Sequence, residues 1–338
     1  MFSKLTPLAE TNIPPLLCAN AAGRLLHSDS RQIKQGDIFV ACQGEYTDGR
    51  SYIPAAIANG AAFVFWDDDG KFAWNPEWKV PNQGIKDLKH RAGMLAAQVY
   101  GNVSDDLKVW GVTGTNGKTS ITQWLAQAAD LLGEKTAIIG TVGNGFWGAL
   151  EETTHTTPAP VDVQTLLYRF RQQGATAAAM EVSSHGLDQS RVNGVPFRSA
   201  IFTNLTRDHL DYHGTMEAYG AIKSRLFYWH GLKHAVINVD DEYGAELVGR
   251  LKKDRPDLAV YSYGFSEHAD IRIVHFTASS GGMEAVFQTP WGEGRCRTRL
   301  LGRFNAQNLA ACIALLCANG YPLDKVLDVL AKIRPASG

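Results

Sequence analysis

The sequence lacks several features that are typical of zinc-binding, disulfide-linked or nucleic-acid-binding proteins. Its five cysteines, an odd number, include no CxxC pair, so neither a zinc site nor a disulfide framework is indicated and we expect buried thiols. The 33 basic and 34 acidic side chains leave a formal net charge of −1, which gives no electrostatic reason to expect nucleic acid or an anionic membrane as a partner. A small anionic ligand must then be bound by a local group of residues, because the net charge of the protein does not attract it.

Long apolar segments are also absent. The first residues, MFSKLTPLAE, contain no apolar core of signal-peptide length, and no apolar run approaches the roughly 20 residues needed to span a bilayer. We therefore expect a cytoplasmic protein with no membrane partner. The length of 338 residues is too great for one small core and favours two or three domains.

A glycine-rich turn lies between an apolar run and an amphipathic run at residues 109–121, VWGVTGTNGKTSI. The spacing differs from the usual phosphate loop, which has a glycine where Val112 stands. The remaining glycines still allow backbone N–H groups to approach an anion at a helix N-terminus. Lys118 can reach terminal phosphates, and the Thr119 hydroxyl can bind Mg²⁺. An ordinary strand-to-helix turn is the alternative, but the surrounding strand and helix patterns favour a nucleoside triphosphate site.

The pattern of strands and helices predicts an α/β fold with two domains. Residues 1–88 contain short β-rich runs at Asp37–Ala41 and Ala62–Trp66. A helix is predicted from Ile53 to Asn59, closed by Gly60 as its C-cap. These elements are typical of a small N-terminal α/β domain.

Residues 89–338 alternate apolar strand runs with amphipathic helix runs. Runs such as AIIG, AAAM and AIFT are apolar on both faces, as expected for parallel strands covered by helices on each side. This pattern predicts a doubly wound, mostly parallel sheet with the phosphate loop after its first strand. Around Gly281, IRIVHFTAS and MEAVFQTP predict a small antiparallel hairpin, and two helices follow it. Earlier in the chain, residues 68–83 show no periodicity and are predicted to form a loop.

Polar side chains follow the apolar strands of this second domain. Glu181, Ser183 and His185 come after AAAM, at the carboxyl end of a strand, where ligands bind in such sheets. Glu181 suits a second protein ligand for Mg²⁺, although a carboxylate that caps a turn has the same pattern. Metal or phosphate binding is the more specific interpretation of the dense polar group that follows the next strand. This group consists of Asn204, Asp208, His209, Asp211 and His213.

Three further patterns stay ambiguous when only the residues are considered. Lys223 lies on an amphipathic helix, where most lysines are solvated. The Thr156-Thr157-Pro158 turn precedes a helix and either presents hydroxyls and amides to an anion or caps that helix. The GTVGNG run at residues 140–145 has neither the spacing nor the following helix of a dinucleotide-binding fingerprint.

Six motifs in order, TGTNGKTS, THTTP, MEVSSHGL, FTNLTRDHLDYHG, KSRLF and LGRFNAQN, resemble those of the Mur ligases. The likeness is greatest to the MurE type, which adds the third residue of the peptidoglycan stem peptide to UDP-N-acetylmuramoyl-L-alanyl-D-glutamate. It runs from about Ser28 to the end, and SDSRQIKQGDIFVACQGEYTDG is similar to the family's UDP-binding domain. The resemblance implies an ATP-dependent ligase that forms an acyl phosphate, which meso-diaminopimelate or L-lysine then displaces.

The resemblance also implies roles for individual residues. The catalytic residues would be Lys118, Glu181, His209 and Lys223. ATP would be held by Gly114, Thr115, Asn116, Gly117, Lys118, Thr119 and Ser120, with Asn305 near the adenine. Mg²⁺ would be bound by Thr119, Glu181, His209 and Lys223, with Lys223 converted by CO₂ into a carbamate. The UDP-sugar and its dipeptide would contact Ser28, Ser30, Glu45, Tyr46, Thr47, His155, Thr156, Thr157, Ser183, Gln189 and Arg191.

Two features depart from the family pattern. His155 stands where similar proteins often carry asparagine. The family's third domain, which binds the incoming amino acid and carries a DNPR-like motif, finds no match in these residues. We therefore expect a monomeric chain that binds substrates but does not ligate them by itself. The alternatives are a folylpolyglutamate-type ligase, which shares TGTNGK, and a nucleotide-dependent binding protein without ligase activity.

Overall fold

The computed structural model describes residues 23–44, 47–102 and 106–336. The chain divides into two compact units. The first comprises Met1–Asp105, Pro158–Arg169 and Asp188–Val195, and the second comprises Asp106–Thr157, Phe170–Leu187 and Pro196–Gly338.

The first unit contains a parallel sheet of four strands in the order β1-β2-β3-β4. Its strands and helices are β1 (Leu26–His27), β2 (Ile38–Ala41), α1 (Ile53–Ala58), β3 (Phe63–Asp67), β4 (Asn82–Ile85) and α2 (Leu88–Val99). Gly60 follows α1 with φ of 99°, the left-handed conformation that glycine favours after a helix, as predicted. The prediction of a loop over residues 68–83 is wrong at its C-terminal end, because Asn82 and Gln83 pair with β3.

The boundary predicted after residue 88 differs from this division into units. Helix α2 packs against β3. The hydroxyl of Tyr100, just after α2, accepts a hydrogen bond from Leu26 N at 2.8 Å and lies 2.8 Å from Thr165 Oγ1. These buried contacts tie α2 to the first unit.

One sheet of 11 strands forms the second unit, in the order β15-β14-β13-β12-β11-β10-β5-β9-β6-β7-β8. The six pairs from β13 to β6 are parallel, and the outer pairs are antiparallel. The mostly parallel sheet and the β13–β14 hairpin are therefore confirmed. The strands are β5 (Lys108–Thr113), β6 (Thr136–Gly140), β7 (Gly143–Phe146), β8 (Ala149–Glu151), β9 (Ala177–Glu181), β10 (Phe197–Phe202), β11 (His234–Asn238), β12 (Ala259–Gly264), β13 (Ile271–Ser279), β14 (Gly282–Thr289) and β15 (Gly292–Thr298).

The remaining helices are α3 (Lys118–Leu131), α4 (Pro160–Gln172), α5 (Ser184–Asp188), α6 (Leu210–His213), α7 (Met216–Ser224), α8 (Glu242–Asp254), α9 (Arg303–Ala318) and α10 (Leu323–Leu330). Helices α3 and α9 pack against each other and bury Trp124 and Leu309 in the main core. Cys296, Cys312 and Cys317 are buried thiols, as expected. Cys42 is only partly buried, contrary to that expectation, and Cys18 lies outside the described residues. No helix in the described part of the chain is both long and apolar enough to cross a membrane.

Four adjacent parallel strands, β10, β5, β9 and β6, determine where polar loops meet in the second unit. Their register aligns Phe202 with Thr113, Val112 with Glu181, and Ile139 with Met180. Parallel strands end at the same edge of a sheet. The loops that follow these four strands therefore lie side by side.

Candidate active site

The glycine-rich loop joins β5 to the N-terminus of α3. Gly114 has φ of 140° and Gly117 has φ of 87°, conformations that residues with a side chain rarely adopt. A Cβ atom on Gly114 would also collide with the hydroxyl of Thr203. The two glycines are therefore required by the shape of this loop, whereas Val112 lies within β5 and is buried.

The loop after β10 holds the glycine-rich loop in place. The backbone N–H groups of Thr115 and Asn116 donate to Asn204, to its carbonyl oxygen at 2.9 Å and to its Oδ1 at 3.0 Å. In return, Thr203 Oγ1 donates to the carbonyl oxygen of Asn116 at 2.6 Å. The conformation of the loop is thus imposed by its neighbour as well as by its own glycines.

Lys118 is the first residue of α3 and folds back over the loop. Its Nζ donates to the carbonyl oxygens of Gly114 at 3.0 Å and Thr115 at 2.8 Å. Burial lowers the pKa of Lys118, while the negative charges of Glu181 and Asp208 oppose that shift. The amine therefore lies at the helix N-terminus where an anionic phosphate would be attracted.

Glu181 ends β9 beside the loop, and its side chain is almost fully buried. Its Oε2 accepts hydrogen bonds from Thr119 Oγ1 at 3.1 Å and from Thr141 Oγ1 at 3.0 Å. Its Oε1 accepts from the backbone N–H of Thr141 at 2.9 Å. The two side chains predicted to bind Mg²⁺, Thr119 and Glu181, thus contact each other, and Thr141 contacts the same carboxylate.

The oxygen atoms of Thr119 and Glu181 fit the chemistry of Mg²⁺. This ion prefers oxygen ligands and usually takes only one or two carboxylates, completed by waters and substrate phosphates. No group of three or more His, Cys, Asp or Glu side chains that could hold a metal ion occurs within residues 23–44, 47–102 and 106–336. Two protein oxygens next to a glycine-rich loop at a helix N-terminus suit an ion that arrives with a nucleotide.

Lys223, near the end of α7, is almost fully buried. Its Nζ donates to the carbonyl oxygen of Gly114 at 2.9 Å and lies 4.5 Å from the ring centre of Tyr219. Burial and the positive charge of Lys118 lower the pKa of Lys223 to about 6, against an opposing effect of Asp208. The interpretation as a solvated helix lysine is therefore wrong, because the side chain is buried, and the lowered pKa favours the neutral amine at pH 7.

The histidines of the loop after β10 lie in different environments. His209 is half-exposed, has φ of 51°, and places Nε2 3.4 Å from Asp208 Oδ2. His213 is buried, and its Nε2 lies 2.9 Å from Ser184 Oγ. Both rings flank Tyr219, with centroids 6.4 Å and 5.0 Å from the tyrosine ring. The aromatic ring of Tyr219 thus borders both His209 and Lys223.

The Thr156-Thr157 turn meets Glu181 at the sheet edge. Thr157 Oγ1 donates to the carbonyl oxygen of Glu181 at 3.0 Å and accepts from Ser183 N at 3.0 Å. Thr156 Oγ1 lies 3.0 Å from Thr141 Oγ1. His155 is exposed, and its Nδ1 lies 2.8 Å from the hydroxyl of the adjacent threonine. The structure therefore places Thr156, Thr157 and Ser183 around Glu181 and leaves His155 at the surface.

A cavity of about 510 Å³ opens beside the start of α3. Asn305, on the first turn of α9, lines the same cavity as the loop residues Thr119 and Ser120. Its Nδ2 donates to the carbonyl oxygen of Leu301 at 2.8 Å. The exposed side chains of Leu301 and Phe304 also line the cavity, which adds an apolar wall next to the glycine-rich loop.

The remaining predicted substrate residues belong to the first unit. Ser28 and Thr47 are exposed, whereas Ser30 is buried and its carbonyl oxygen accepts from Asn59 Nδ2 at 2.9 Å. Arg191 Nη2 donates to the side chain of Gln189 at 2.7 Å. Two further predicted residues lie outside the described part of the chain: Glu45 and Tyr46.

Sequence reasoning missed Thr141 and Tyr219. Thr141 directly follows the apolar run TAIIG, so its position at the carboxyl end of a strand was a usable signal. Tyr219 had no comparable signal, because it lies one turn before Lys223 on a helix whose buried face the sequence does not define.

Comparison with known families decides the relationship of this chain. Residues 24–100 match the Mur ligase family, catalytic domain, and residues 112–316 match the Mur ligase middle domain. The chain belongs to the Mur ligase family. The motif resemblance is thereby confirmed.

Individual Mur ligases are similar along the whole chain. The UDP-N-acetylmuramoyl-L-alanyl-D-glutamate–2,6-diaminopimelate ligase of Neisseria meningitidis serogroup B is 94% identical over 338 residues, which are 100% of this chain and 69% of that protein. The ligase of the same name from Chromobacterium violaceum is 54% identical over 338 residues, 100% of this chain and 68% of its own length. A solved structure of a ligase with this name has a TM-score of 0.79 and 34% identity, and the match covers 93% of this chain and 63% of that chain.

Proposed function

We propose that this protein is an ATP-dependent ligase of peptidoglycan precursor synthesis, which adds meso-diaminopimelate to UDP-N-acetylmuramoyl-L-alanyl-D-glutamate. The observation that carries the proposal is the 94% identity, over all 338 residues, to a meningococcal ligase named for this reaction. Because the chain spans 69% of the length of that relative and 63% of the length of the solved ligase chain, the activity of the whole relative is part of the proposal.

The proposed reaction requires two anions to meet. The D-glutamate carboxylate attacks the γ-phosphorus of ATP, the bond from that phosphorus to the bridging oxygen breaks, and ADP leaves. The amine of diaminopimelate then attacks the acyl phosphate, inorganic phosphate leaves, and an amide forms after loss of a proton. Lys118 and the N-terminus of α3 support the first step, because they place positive charge beside the phosphates and orient them.

A metal ion belongs to this proposal. Thr119 and Glu181 would hold Mg²⁺ together with phosphate oxygens, and the ion would neutralise charge on the transferring group. The buried Glu181 carboxylate is already oriented by hydrogen bonds at both of its oxygens. His209 and a modified Lys223 would serve a second ion.

The modification of Lys223 is a carbamate. A neutral amine attacks the carbon of CO₂, an N–C bond forms while one C–O π bond opens, and a proton is lost to solvent, so a buried neutral amine becomes an anion. The lowered pKa of Lys223 supports this step because it favours the neutral amine at pH 7. The positive charge of Lys118 would stabilise the product, since both side chains reach the carbonyl oxygen of Gly114.

Substrate contacts complete the proposal. The cavity beside Thr119 suits the nucleoside of ATP, with Asn305 on its wall. The dipeptide would extend past Thr156, Thr157 and Ser183, which surround Glu181. The remaining contacts proposed for the UDP-sugar and dipeptide are those predicted from the motifs: Ser28, Ser30, Glu45, Tyr46, Thr47, His155, Gln189 and Arg191.

Ligand binding and product analysis test the proposal. Calorimetry with a non-hydrolysable ATP analogue and UDP-N-acetylmuramoyl-L-alanyl-D-glutamate should detect both ligands, whereas UDP-N-acetylmuramoyl-L-alanine and folate should bind more weakly. Mass spectrometry tests a separate expectation, that these 338 residues alone incorporate neither diaminopimelate nor lysine; formation of either product would contradict that expectation. Preference for folate would replace the proposal with a folylpolyglutamate-type ligase.

Localisation and assembly are also proposed. We place the protein in the cytoplasm, where its nucleotide substrates are supplied, and we propose that it acts as a monomer. Light scattering coupled to size exclusion tests the second point, since a dimer would elute with twice the mass calculated from the sequence.

A further inference from the structure

We infer that Gly140 and Thr141 form a holder for the Glu181 carboxylate, with Thr141 as a positioning residue for the nucleotide-bound Mg²⁺. The inference rests on the proposed function, because it takes Glu181 as a ligand of that ion. Neither Gly140 nor Thr141 belongs to the residues that the motifs predicted. Both lie at the carboxyl end of β6, which neighbours β9 in the sheet.

Thr141 forms hydrogen bonds with both oxygens of the Glu181 carboxylate. Its backbone N–H donates to Glu181 Oε1 at 2.9 Å, and its hydroxyl is 3.0 Å from Oε2. Two donors from a single residue prevent the carboxylate from rotating about its last side-chain bond, whereas a single donor would leave that rotation open. Thr141 therefore fixes the plane in which Glu181 presents its oxygens.

Gly140 provides the space for this arrangement. A Cβ atom added at Gly140 would collide with Oε1 of Glu181, so any other residue would displace the carboxylate. Glu181 is 1% exposed, and a buried carboxylate without partners is strongly unfavourable. The close approach that Gly140 permits and the two donors of Thr141 thus compensate the burial of the charge.

The holder acts independently of the predicted metal ligand Thr119. The Thr119 hydroxyl also donates to Glu181 Oε2, at 3.1 Å, but its oxygen is itself expected to bind the ion. With Thr141 in place, the orientation of Glu181 does not depend on Thr119 keeping that hydrogen bond. Partners that orient a metal ligand without touching the metal typically contribute about 10- to 100-fold to metal affinity.

Substitutions that separate the hydroxyl from the side-chain volume test the holder. Thr141→Val keeps the shape of the side chain and removes the hydroxyl. Thr141→Ala also removes the hydroxyl and replaces the valine variant if that variant does not fold. Thr141→Ser keeps the hydroxyl and removes only the methyl group. Thr289→Val, in the β14–β15 hairpin, serves as the control. It removes a hydroxyl that contacts only neighbouring residues of the turn, donating to Gly292 O at 2.8 Å and accepting from Trp291 N at 3.1 Å. Thermal unfolding verifies that each variant is folded.

The readout is the affinity for a non-hydrolysable ATP analogue, measured by calorimetry over a series of Mg²⁺ concentrations and in EDTA. Mg²⁺ should increase the affinity of the protein for the ATP analogue. We expect Thr141→Val and Thr141→Ala to raise the Mg²⁺ concentration that gives half of this increase by about 10-fold. Affinity in EDTA should not change, and Thr141→Ser and Thr289→Val should behave as wild type. Gly140→Ala should also weaken the Mg²⁺ response, since it displaces the same carboxylate.

The outcomes separate the holder from the proposed function. Wild type that binds no nucleotide, or binds it without any Mg²⁺ response, contradicts the proposed function. If wild type responds to Mg²⁺ and both Thr141→Val and Thr141→Ala respond in the same way, the holder is overturned while the proposed function stands. An equal loss of affinity in EDTA and in Mg²⁺ also overturns the holder, because that result assigns Thr141 a general structural role.

Discussion

Lys118 and Lys223 donate hydrogen bonds to the same acceptor, the carbonyl oxygen of Gly114, at 3.0 Å and 2.9 Å. The two side chains come from the beginning of α3 and the end of α7. Burial of Lys223, together with the nearby positive charge of Lys118, lowers the pKa of Lys223 to about 6. One loop carbonyl thereby links the amine proposed to contact phosphate with the amine proposed to react with CO₂.

The first prediction concerns the reaction of Lys223 with CO₂. Incubation with ¹³C-bicarbonate above pH 7 should produce a carbamate carbonyl signal by NMR, because the amine is largely neutral there. The signal should disappear in Lys223→Ala and persist in Lys332→Ala, which changes an exposed lysine. Identical spectra for wild type and Lys223→Ala would show that Lys223 is not carbamylated.

The second prediction concerns stability and pH in CO₂-free buffer. The pKa of Lys223 is about 6 in the folded protein and about 10.4 when unfolded, so between these values the unfolded chain binds more protons. The free energy of unfolding should therefore rise with pH across this window, relative to Lys223→Met, by up to about 1.4 kcal/mol per pH unit. Urea unfolding at several pH values measures this difference. A constant difference between the two proteins would contradict the lowered pKa.

The third prediction concerns phosphate binding by Lys118. Lys118→Ala should lose about 1.5 to 3 kcal/mol of binding free energy for a non-hydrolysable ATP analogue with Mg²⁺, because a charge-assisted hydrogen bond is removed. Calorimetry measures the change, again with Lys332→Ala as the control. Unchanged affinity in Lys118→Ala would refute the assignment of the phosphate-binding loop.

The fourth prediction compares two glycines with positive φ. Gly133, with φ of 92°, has no atom near its added Cβ, so Gly133→Ala should cost about 1 to 2 kcal/mol of unfolding free energy from backbone strain alone. In Gly114→Ala the new Cβ also collides with Thr203, which should cost about 1 to 3 kcal/mol more. Chemical denaturation compares the two variants. Equal losses would indicate that the loop is not held tightly by the neighbouring strand end.

The fifth prediction concerns the cavity beside α3. Asn305→Ala should weaken ATP-analogue binding about 2- to 10-fold, as expected for the loss of one hydrogen bond to the base. Binding of tripolyphosphate should not change, because it lacks the base. Gln307→Ala is the matched control on the same helix, since Gln307 donates to Asp240 at 2.7 Å and does not line the cavity. An equal effect on both ligands would place Asn305 away from the adenine.

Local chemistry was sufficient to predict the conformation of the glycine-rich loop and the class of fold. Positive φ at Gly114 and Gly117 and a helix that begins at Lys118 are short-range properties, which the order of residues encodes directly. Apolar runs without alternation predicted buried parallel strands for the same reason. The edge strand β15, GEGRCRT, was missed because its charged and glycine-rich residues do not carry that pattern.

The sequence by itself determined the loop, the buried strands and the polar residues that follow them. Only the tertiary structure decided which of these residues meet, because the sheet order β10-β5-β9-β6 differs from the order along the chain. That order brings Thr141 to Glu181, 40 residues away, and Lys223 to Gly114, 109 residues away. The depressed pKa of Lys223 has the same origin, since burial and a neighbouring charge are properties of packing that periodicity along one helix does not encode.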